Sequence, residues 1–389
     1  MSNQERGVDA IAEMAALANI SKVTIVAWRD LDDPEAGGSE LHAHRIATAW
    51  AKAGIEVVMR TSMVAGKPTE IVRDGYTVIR RGGRYAVFAQ VFMEGLRHRS
   101  KPGEALIETW NGMPFFSPIW YRGPRIVVLH HVHGPMWKMS LSRGLAWIGE
   151  AIEKVLAPPI YRSSEVVTLS ASSKLEIVEQ MHLPASRITV VPPGIEPRFV
   201  PGGTASVDPL VVAVGRLVPV KQFDRLIETL VAVKKSVPAL RAIVVGEGYL
   251  RPELETLIRD RNAETWISLP GRLDDGEVVA LYQEATVVAS ASLREGWGMT
   301  LTEAAACGTP SVATDIAGHR DAVVNGVSGV LAAEGQPLVS ALVSVLSDPA
   351  ERQRLSEGAL SVAAGFSWDR TAEQAFGVLA LVAQRHAVH

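Results

Sequence analysis

The segment R-E-G-W-G-M-T-L-T-E-A-A-A-C-G-T-P, residues 294–310, is the most informative stretch of this chain for its fold. An apolar run, Thr286 to Ser290, precedes it and predicts a buried strand. Met299 to Cys307 predicts a short helix that ends at Gly308 and Pro310. The segment therefore predicts a loop that leads from a buried strand into a helix.

Two acidic residues flank this loop. Glu295 lies in the loop and Glu303 lies one turn into the helix, while Gly296 and Gly298 leave the backbone between them uncovered. Free N–H groups of the first helical turn can then approach an anion such as a phosphate closely. The two carboxylates can accept hydrogen bonds from hydroxyl pairs, one on a sugar and one on a ribose. The spacing alone also fits an acidic loop beside an exposed helix glutamate.

Two cations follow another predicted strand, Leu210 to Val214. The sequence there is G-R-L-V-P-V-K-Q-F-D-R-L, which places Arg216 and Lys221 five residues apart in the loop that enters the next helix. Two cations that converge on a diphosphate would stabilise the charge of a leaving group in place of a metal ion. The alternative is a solvated pair of charges at the start of a helix.

Length and composition describe a folded protein of two domains. The chain has 389 residues, too many for one ordinary core, and 47% hydrophobic with 21% charged residues argue against a disordered tail. A net charge of −3 gives no general attraction to nucleic acid, so that partner class is excluded.

Compartment signals favour a reducing cytoplasm. Cys307 is the only cysteine, which excludes an intramolecular disulfide and a cysteine-rich metal site. The N-terminus lacks the basic start and long apolar core of a secretion signal, and no uncharged run is long enough to cross a bilayer. Contact with a membrane would therefore be contact with its surface.

Short Val- and Ile-rich runs alternate with helical patterns in two successive series, which is typical of parallel α/β sheets. The clearest runs are Val23–Ala27, Ile126–Leu129, Val166–Leu169, Leu210–Val214 and Ala242–Val245. The hinge between the series is predicted at residues 192–203, where closely spaced Pro and Gly forbid helix and central strand. Because ligands bind beyond the carboxyl ends of such strands, two domains that face each other would form a deep cleft.

The first predicted strand is followed by a second glycine-containing loop. Residues 28–40 contain Gly37 and Gly38, whose amides can face a ligand, and Ser39 is a plausible N-cap for a helix over residues 41–53. The loop predicts a second binding site for an anion or sugar, although Gly-Gly before a helix is also a common loop sequence without a binding role.

Asp30 and Asp32 in the same loop form an Asp-x-Asp pair. Such a pair can hold a divalent cation beside a nucleotide, but a charged turn explains it better, and no metal is expected.

Three histidines, His130, His131 and His133, follow the strand Ile126–Leu129. His131 and His133 would share a face, but no third metal ligand is apparent. The alternative is an imidazole that contacts the transferred sugar or the acceptor hydroxyl.

Asn111, in the sequence E-T-W-N-G-M-P, also follows a predicted strand. Its amide can form a hydrogen bond with an acceptor substrate, or the residue can simply form a turn with Gly112.

Residues 80–101 are strongly basic. They contain six cations against the single acid Glu94, and an apolar stripe at helical spacing lies among them. The stripe members are Tyr85, Phe88, Phe92 and Leu96. The region predicts a helix packed on the core or, alternatively, a site for an anionic acceptor or lipid headgroup.

Taken together, these motifs resemble the retaining GT-B glycosyltransferases that use nucleotide diphosphate sugars. The resemblance covers most of the chain and is strongest from Leu210 to Arg320, where V-G-R-L-x-x-x-K-x-F-D-x-L-I, V-G-E-G, L-P-G-R-L and the 294–310 segment occur in the family's order. It implies two Rossmann-like domains that face each other across a cleft: an acceptor-side domain (residues 1–195) and a donor domain (residues 196–366). The last helix, residues 367–389, would cross back to the first domain.

The resemblance also implies roles for individual residues. Glu295 would contact the hydroxyls of the transferred sugar and Glu303 the ribose, while Arg216 and Lys221 would hold the diphosphate. Other predicted contacts are the amides of Gly298, Met299 and Thr300, the backbone near Arg272 for the base, the Gly37-Gly38 loop near donor and acceptor, Ser39 and Asn111 on the acceptor side, and either His131 or His133 on the sugar.

Mechanistically, the resemblance implies transfer of a hexosyl group with retention of configuration and without a metal, to a small-molecule, glycan or lipid-linked acceptor. Gln222 replaces the family's usual glycine after the lysine, and Pro193 replaces the asparagine before Gly194. Two alternatives are a sugar-nucleotide epimerase of the same fold and a non-catalytic sugar-nucleotide binder. The sequence indicates neither the donor, the acceptor nor the oligomeric state.

Overall fold

The computed structural model describes residues 3–134, 136–137, 142–333 and 338–387. The chain divides into two compact units. The N-terminal unit comprises Met1–Gly194 and Ser367–His389, and the C-terminal unit comprises Ile195–Phe366. In the described part of the chain, no helix has the length and apolar character needed to span a bilayer.

The N-terminal unit is built on an eight-stranded sheet of order β3-β4-β2-β1-β5-β6-β7-β8, in which only the β3–β4 pair is antiparallel. Its strands are Lys22–Val26 (β1), Glu56–Thr61 (β2), Glu70–Arg73 (β3), Tyr76–Arg80 (β4), Glu104–Trp110 (β5), Arg125–Leu129 (β6), Glu165–Thr168 (β7) and Ile188–Val190 (β8). Its helices include Asn3–Leu17 (α1), Gly38–Lys52 (α2), Ala86–Arg97 (α3), Ser117–Trp120 (α4), Arg143–Ala151 (α5), Ala157–Tyr161 (α6), Ala171–Met181 (α7) and, after the second unit, Trp368–Ala387 (α15).

The C-terminal unit is a six-stranded, entirely parallel sheet of order β11-β10-β9-β12-β13-β14. Its strands are Leu210–Val214 (β9), Arg241–Val245 (β10), Ile267–Gly271 (β11), Val287–Ser290 (β12), Ser311–Thr314 (β13) and Gly329–Ala332 (β14). Its helices include Phe223–Lys234 (α8), Arg251–Asp260 (α9), Asp275–Glu284 (α10), Met299–Ala306 (α11), Ala317–Ala322 (α12), Leu338–Ser347 (α13) and Pro349–Ala363 (α14). The predicted α/β class with two parallel-dominated sheets is confirmed.

Helix α15 belongs to the core of the N-terminal unit. The ring of Phe376 packs edge-on against Trp50 of α2, and the Trp50 indole donates a hydrogen bond of 3.0 Å to the carbonyl of Ala372. Close packing also explains Gly194, because a Cβ there would lie 2.1 Å from the backbone nitrogen of Trp368. The chain therefore leaves and re-enters this unit at adjacent positions.

One sequence prediction about local structure is wrong, and another is confirmed only in part. Helix α2 begins at Gly38 with Gly37 as its N-cap, so Ser39 lies in the first turn and does not cap the helix. The buried face of α3 is formed by Val87 and Val91. Of the predicted stripe, Phe88 and Phe92 are partly buried and pack against the same cluster, whereas Tyr85 is 65% and Leu96 53% exposed. The buried face of α3 packs in one cluster with Val26 of β1 and Leu106 of β5, and the helical period alone cannot identify these partners.

Candidate active site

The predicted donor-site residues of the C-terminal unit lie beyond the carboxyl ends of its strands. β9 pairs in parallel with β12, so the loop with Arg216 and Lys221 and the loop with Glu295 lie side by side. The N–H of Leu293 donates to the carbonyl of Val220 at 2.8 Å and ties the two loops together. Residues far apart in sequence are therefore neighbours at one edge of the sheet.

Lys221 and Glu295 form an ion pair between the two loops. Ser292 Oγ donates a second hydrogen bond, 2.8 Å long, to the Glu295 carboxylate. Burial opposes ionisation of Glu295, but the charge of Lys221 and these hydrogen bonds hold its pKa below the ordinary value. Glu295 is therefore an anion at neutral pH, positioned to accept hydrogen bonds.

His319 is a residue of this site that the sequence interpretation missed. It follows β13 on helix α12, is 1% exposed, and its Nδ1 donates to the carbonyl of Thr314 at 2.7 Å. That bond leaves Nε2 as an acceptor for Ser290 Oγ at 3.2 Å, and burial lowers the pKa of His319. The position after a parallel strand was the signal that could have identified it.

The N-terminus of α11 offers backbone donors. Its N-cap, Gly298, provides no side-chain cap, and in the described residues the N–H groups of Met299 and Thr300 have no backbone acceptor. A Cβ at Gly298 would lie 3.0–3.1 Å from the side chains of Leu301 and Ala322, so glycine also keeps this corner closely packed. Free N–H groups at a helix start are suited to bind phosphate oxygens.

Glu303, one turn into α11, is partly buried. Tyr282 Oη donates to its carboxyl at 3.3 Å, and burial raises the pKa of Glu303 to about 7. The carboxyl therefore changes charge near neutral pH.

Arg216 is exposed, and within the described ranges no carboxylate forms an ion pair with it. Its guanidinium is therefore available to a ligand. Gln222, at the end of the same loop, has a φ of +50°, the left-handed conformation that glycine adopts most readily. The structure thus explains why the resemblance leads one to expect glycine there.

The remaining candidate of this unit is Arg272, and the two glycines of the V-G-E-G motif have a structural role. Arg272 is exposed just after β11, at the same edge of the sheet. Gly246 and Gly248 instead serve loop packing, because Cβ atoms there would lie 1.9 Å from the carbonyl oxygen of Gly215 and 2.3 Å from that of Leu217.

In the N-terminal unit, Glu40 organises the Gly37-Gly38 loop. Its carboxylate accepts hydrogen bonds from the Gly37 N–H at 2.8 Å and from Ser39 Oγ at 2.9 Å. Arg29 binds the other oxygen at 3.1 Å, and both of these charged side chains are buried. The loop at the start of α2 is therefore held in one conformation.

Asn111, which follows β5, joins this loop. Its amide donates to Ser39 Oγ at 2.8 Å, and the adjacent Gly112 has a φ of +88°. A Cβ on Gly112 would lie 3.4 Å from His133 Nε2. The loops after β1, β5 and β6 therefore bring Ser39, Asn111 and His133 together.

A buried carboxylate, Glu153, fixes the backbone of the loop after β6 that contains His131 and His133. It lies in a π-helical turn, Ile152–Leu156, and accepts hydrogen bonds from the N–H groups of His133 at 2.6 Å and Gly134 at 2.9 Å, and from the Trp137 indole at 3.1 Å. Burial raises the pKa of Glu153, while these bonds oppose the shift.

The three histidines have different environments. His131 and His133 are partly exposed and stack with ring centroids 4.6 Å apart, so both remain candidates for sugar contact. His130 is buried against His42, and burial lowers its pKa to about 3. His130 is therefore a neutral core residue.

Asp30 and Asp32 bind guanidinium groups. Both carboxylates pair with Arg73 and Arg80, and the Asp30 side chain is fully buried. The charged-turn interpretation accounts for this pair. Among the described residues, no cluster of three or more His, Cys, Asp or Glu side chains has the arrangement of a metal site.

The basic region 80–101 contains both buried or paired arginines and exposed cations. Arg80 is buried, and Arg84 is paired with Glu35. The exposed residues of the region include the cations Arg81, Arg97, Arg99 and Lys101 and the apolar side chains Tyr85, Met93 and Leu96, together with the acid Glu94. Cations and apolar side chains therefore share a surface on and after α3.

Comparison with family models gives one match for each half of the chain. Residues 36–199 match "Glycosyltransferase Family 4", and residues 198–362 match "Glycosyl transferases group 1". Among curated relatives, D-inositol 3-phosphate glycosyltransferase from Nocardia farcinica is 29% identical over 384 residues, covering 87% of this chain and 83% of the relative. The enzyme of that name from Actinosynnema mirum is 29% identical, covering 87% and 91%.

Solved structures share the architecture at low sequence identity. Sucrose-phosphate synthase from Thermosynechococcus elongatus superposes with a TM-score of 0.78 at 19% identity, covering 95% of this chain and 100% of that chain. Anabaena HepE in complex with UDP and glucose gives a TM-score of 0.71 at 18% identity, covering 91% and 98%.

Proposed function

The chain belongs to the GT-B glycosyltransferases related to family 4, and we propose that it transfers a hexosyl group from a nucleotide diphosphate sugar to a hydroxyl acceptor, with retention and without a metal. The observation that carries this proposal is the Lys221–Glu295 ion pair beside the uncapped start of α11. It combines a cation, an ionised carboxylate and free N–H groups at one edge of the sheet.

The diphosphate would bind where these groups meet. Arg216 and Lys221 would approach its oxygens, together with the amides of Gly298, Met299 and Thr300. At close range and an effective dielectric near 20, each cation is worth about 4 kcal/mol, less where water enters. If that contribution appears only as the leaving group gains charge, it is worth about a thousandfold in rate. This charge is the reason for proposing that no metal is needed.

The two acids would bind the two sugars of the donor. Glu295, which stays ionised, would accept hydrogen bonds from hydroxyls of the transferred sugar, and Glu303 those of the ribose. The backbone near Arg272 would meet the base. In the reaction, the bond between sugar and diphosphate breaks, and the acceptor oxygen bonds to the same face of the sugar. Its proton passes to the departing diphosphate.

The acceptor would meet the loops of the N-terminal unit. Gly37 and Gly38 supply amides, Ser39 and Asn111 supply polar side chains, and an imidazole of His131 or His133 would contact the sugar or the acceptor hydroxyl. The relatives from Nocardia farcinica and Actinosynnema mirum carry the name D-inositol 3-phosphate glycosyltransferase, so D-inositol 3-phosphate is the first acceptor to test.

The test is product formation from a panel of nucleotide sugars, with and without acceptor. We expect turnover that requires the acceptor, survives EDTA, and gives a product with the anomeric configuration of the donor. Turnover without acceptor would indicate an epimerase, and donor binding without turnover would indicate a binding protein. Glu295→Ala should abolish transfer, while Glu264→Ala, an exposed glutamate of the same unit, is the matched control.

Contact with the inner face of a membrane is part of the proposal, through the exposed cations and apolar side chains of residues 80–101. The protein should sediment with vesicles that contain an anionic lipid and not with neutral vesicles. Replacing Arg97 and Arg99 with Gln should weaken this binding, because Arg80 and Arg84 are already engaged by carboxylates. Equal sedimentation of the variant would contradict this surface.

A further inference from the structure

A pocket of about 220 Å³ lies in the N-terminal unit, at the amino ends of strands β6 and β7. Its cationic lining comes from Arg125 at the start of β6, Arg187 just before β8, and Arg385 near the end of α15. The candidate acceptor loops follow the carboxyl ends of the strands in the same sheet. The pocket therefore lies at the opposite edge of the sheet from those loops.

The lining of this pocket carries excess positive charge. Glu165 is its single carboxylate, and one oxygen of it accepts from both Arg187, at 2.9 Å, and Arg385, at 3.0 Å. Arg125 donates to the carbonyl of Tyr121 at 3.2 Å and, in the described part of the chain, forms no ion pair. The lining thus holds three guanidinium groups and one carboxylate. The buried Glu108, outside the lining, also acts on Arg125, which leaves an excess of at least one positive charge.

Two polar atoms of the lining are buried without a partner. Ser164 is 4% exposed, and neither its Oγ nor the Nε of Arg125 finds a hydrogen-bond partner in the described residues. Buried polar groups in folded proteins almost always have one. Because a guanidinium Nε can only donate, the missing partner of Arg125 is an acceptor.

We propose that this pocket binds a phosphate group. A phosphate supplies several acceptor oxygens for Arg125 Nε and Ser164 Oγ, and its charge matches the cationic lining. The volume admits a phosphate with a small group attached to it. A water molecule could satisfy the two buried atoms, but it would leave the excess charge unbalanced.

The experiment is calorimetric titration of the full chain with inorganic phosphate at constant ionic strength. The parent protein for this series carries Arg216→Gln, which weakens phosphate binding at the proposed donor site in the other unit. We expect the parent to bind phosphate and Arg385→Gln to bind it about tenfold more weakly, the loss of one charge-assisted contact. Arg385 is 67% exposed and Arg187 still neutralises Glu165, so this variant should fold.

A second variant and a matched control make the result specific. Ser164→Ala should also weaken binding, while Arg261→Gln, which removes a surface arginine from the other unit, should not. Absence of phosphate binding by the parent would overturn the proposal. So would an affinity for phosphate in Arg385→Gln and Ser164→Ala equal to that of the parent. These outcomes do not depend on transferase activity, which Arg216→Gln tests separately.

The source of the phosphate is resolved by two further ligands. Glycerol 3-phosphate represents a free phosphate monoester, and phosphatidylcholine vesicles containing phosphatidic acid represent a lipid headgroup. Binding of either ligand that Arg385→Gln weakens identifies the source. If Arg385→Gln weakens neither, the pocket does not recognise a phosphate monoester.

Discussion

Replacing Glu303 with Gln should stabilise the protein and impair donor binding at the same time. Burial raises the pKa of Glu303 to about 7 from an ordinary value of 4.5. The folded protein therefore binds a proton that the unfolded chain releases between these two values. Stability falls as the pH rises through this window, because the unfolded state then holds fewer protons.

The size of the effect follows from the two pKa values. Their difference corresponds to a loss of about 3 kcal/mol in the free energy of unfolding once both states are ionised. Because Glu303 is only partly buried, water screens part of this cost, and we expect about 1–2 kcal/mol. Glutamine keeps the acceptor for Tyr282 Oη without the charge.

The assay is urea unfolding at about pH 5 and about pH 8.5, followed by tryptophan fluorescence. Glu303→Gln should match the wild type at the lower pH and exceed it at the higher pH. Its affinity for nucleoside diphosphate, measured by calorimetry at the higher pH, should fall about tenfold, because a carboxylate accepts more strongly than an amide. Glu264→Gln is the control for loss of a charge. Parallel pH dependence of wild type and variant, or undiminished donor affinity, would refute the reasoning.

Three further predictions concern other parts of the two sites. Lys221→Met leaves Glu295 buried without its cation, and kcat/KM should fall about a thousandfold in a steady-state assay. Lys235→Met, at an exposed lysine, is the control. A fall of less than tenfold would show that Lys221 does not face the leaving group. Gln222→Gly relieves a left-handed backbone conformation and should raise the free energy of unfolding by about 0.5–1 kcal/mol in urea titrations, and a lower value would be inconsistent with strain at this position. Glu153→Gln places an amide against the N–H groups of His133 and Gly134, and kcat should fall at least about tenfold with an unchanged donor KM. A rise in donor KM with constant kcat would contradict a role of Glu153 in positioning the loop that contains His133.

Sequence patterns located the strands and the loops well. The predicted run Leu210–Val214 is a strand with the same bounds, and Ile126–Leu129 differs from β6 by one residue. Buried parallel strands read as continuous apolar runs, so their signal is local. The placement of Arg216, Lys221 and Glu295 beyond strand ends was predictable for the same reason.

Other features depended on contacts between distant residues. The sequence predicts that α2 starts near Leu41, because Ser39 fits the usual N-cap preference. In the structure the Glu40 carboxylate accepts from the Gly37 N–H, and the helix begins earlier, at Gly38. Local patterns do not identify His319 and Glu153, because the partners Ser290 and His133 lie 29 and 20 residues away from them along the chain.

The sequence by itself determined which segments become buried strands, where the backbone is left bare by glycine, and which charged residues follow the strands, since each of these properties is written in a few neighbouring residues. Only the tertiary structure decided that Lys221 pairs with Glu295, that Asp30 and Asp32 form ion pairs with arginines, and that Glu303 titrates near neutral pH. The physical reason is that ion pairing and desolvation depend on distance and burial, and both are set by strands that come together from remote parts of the chain.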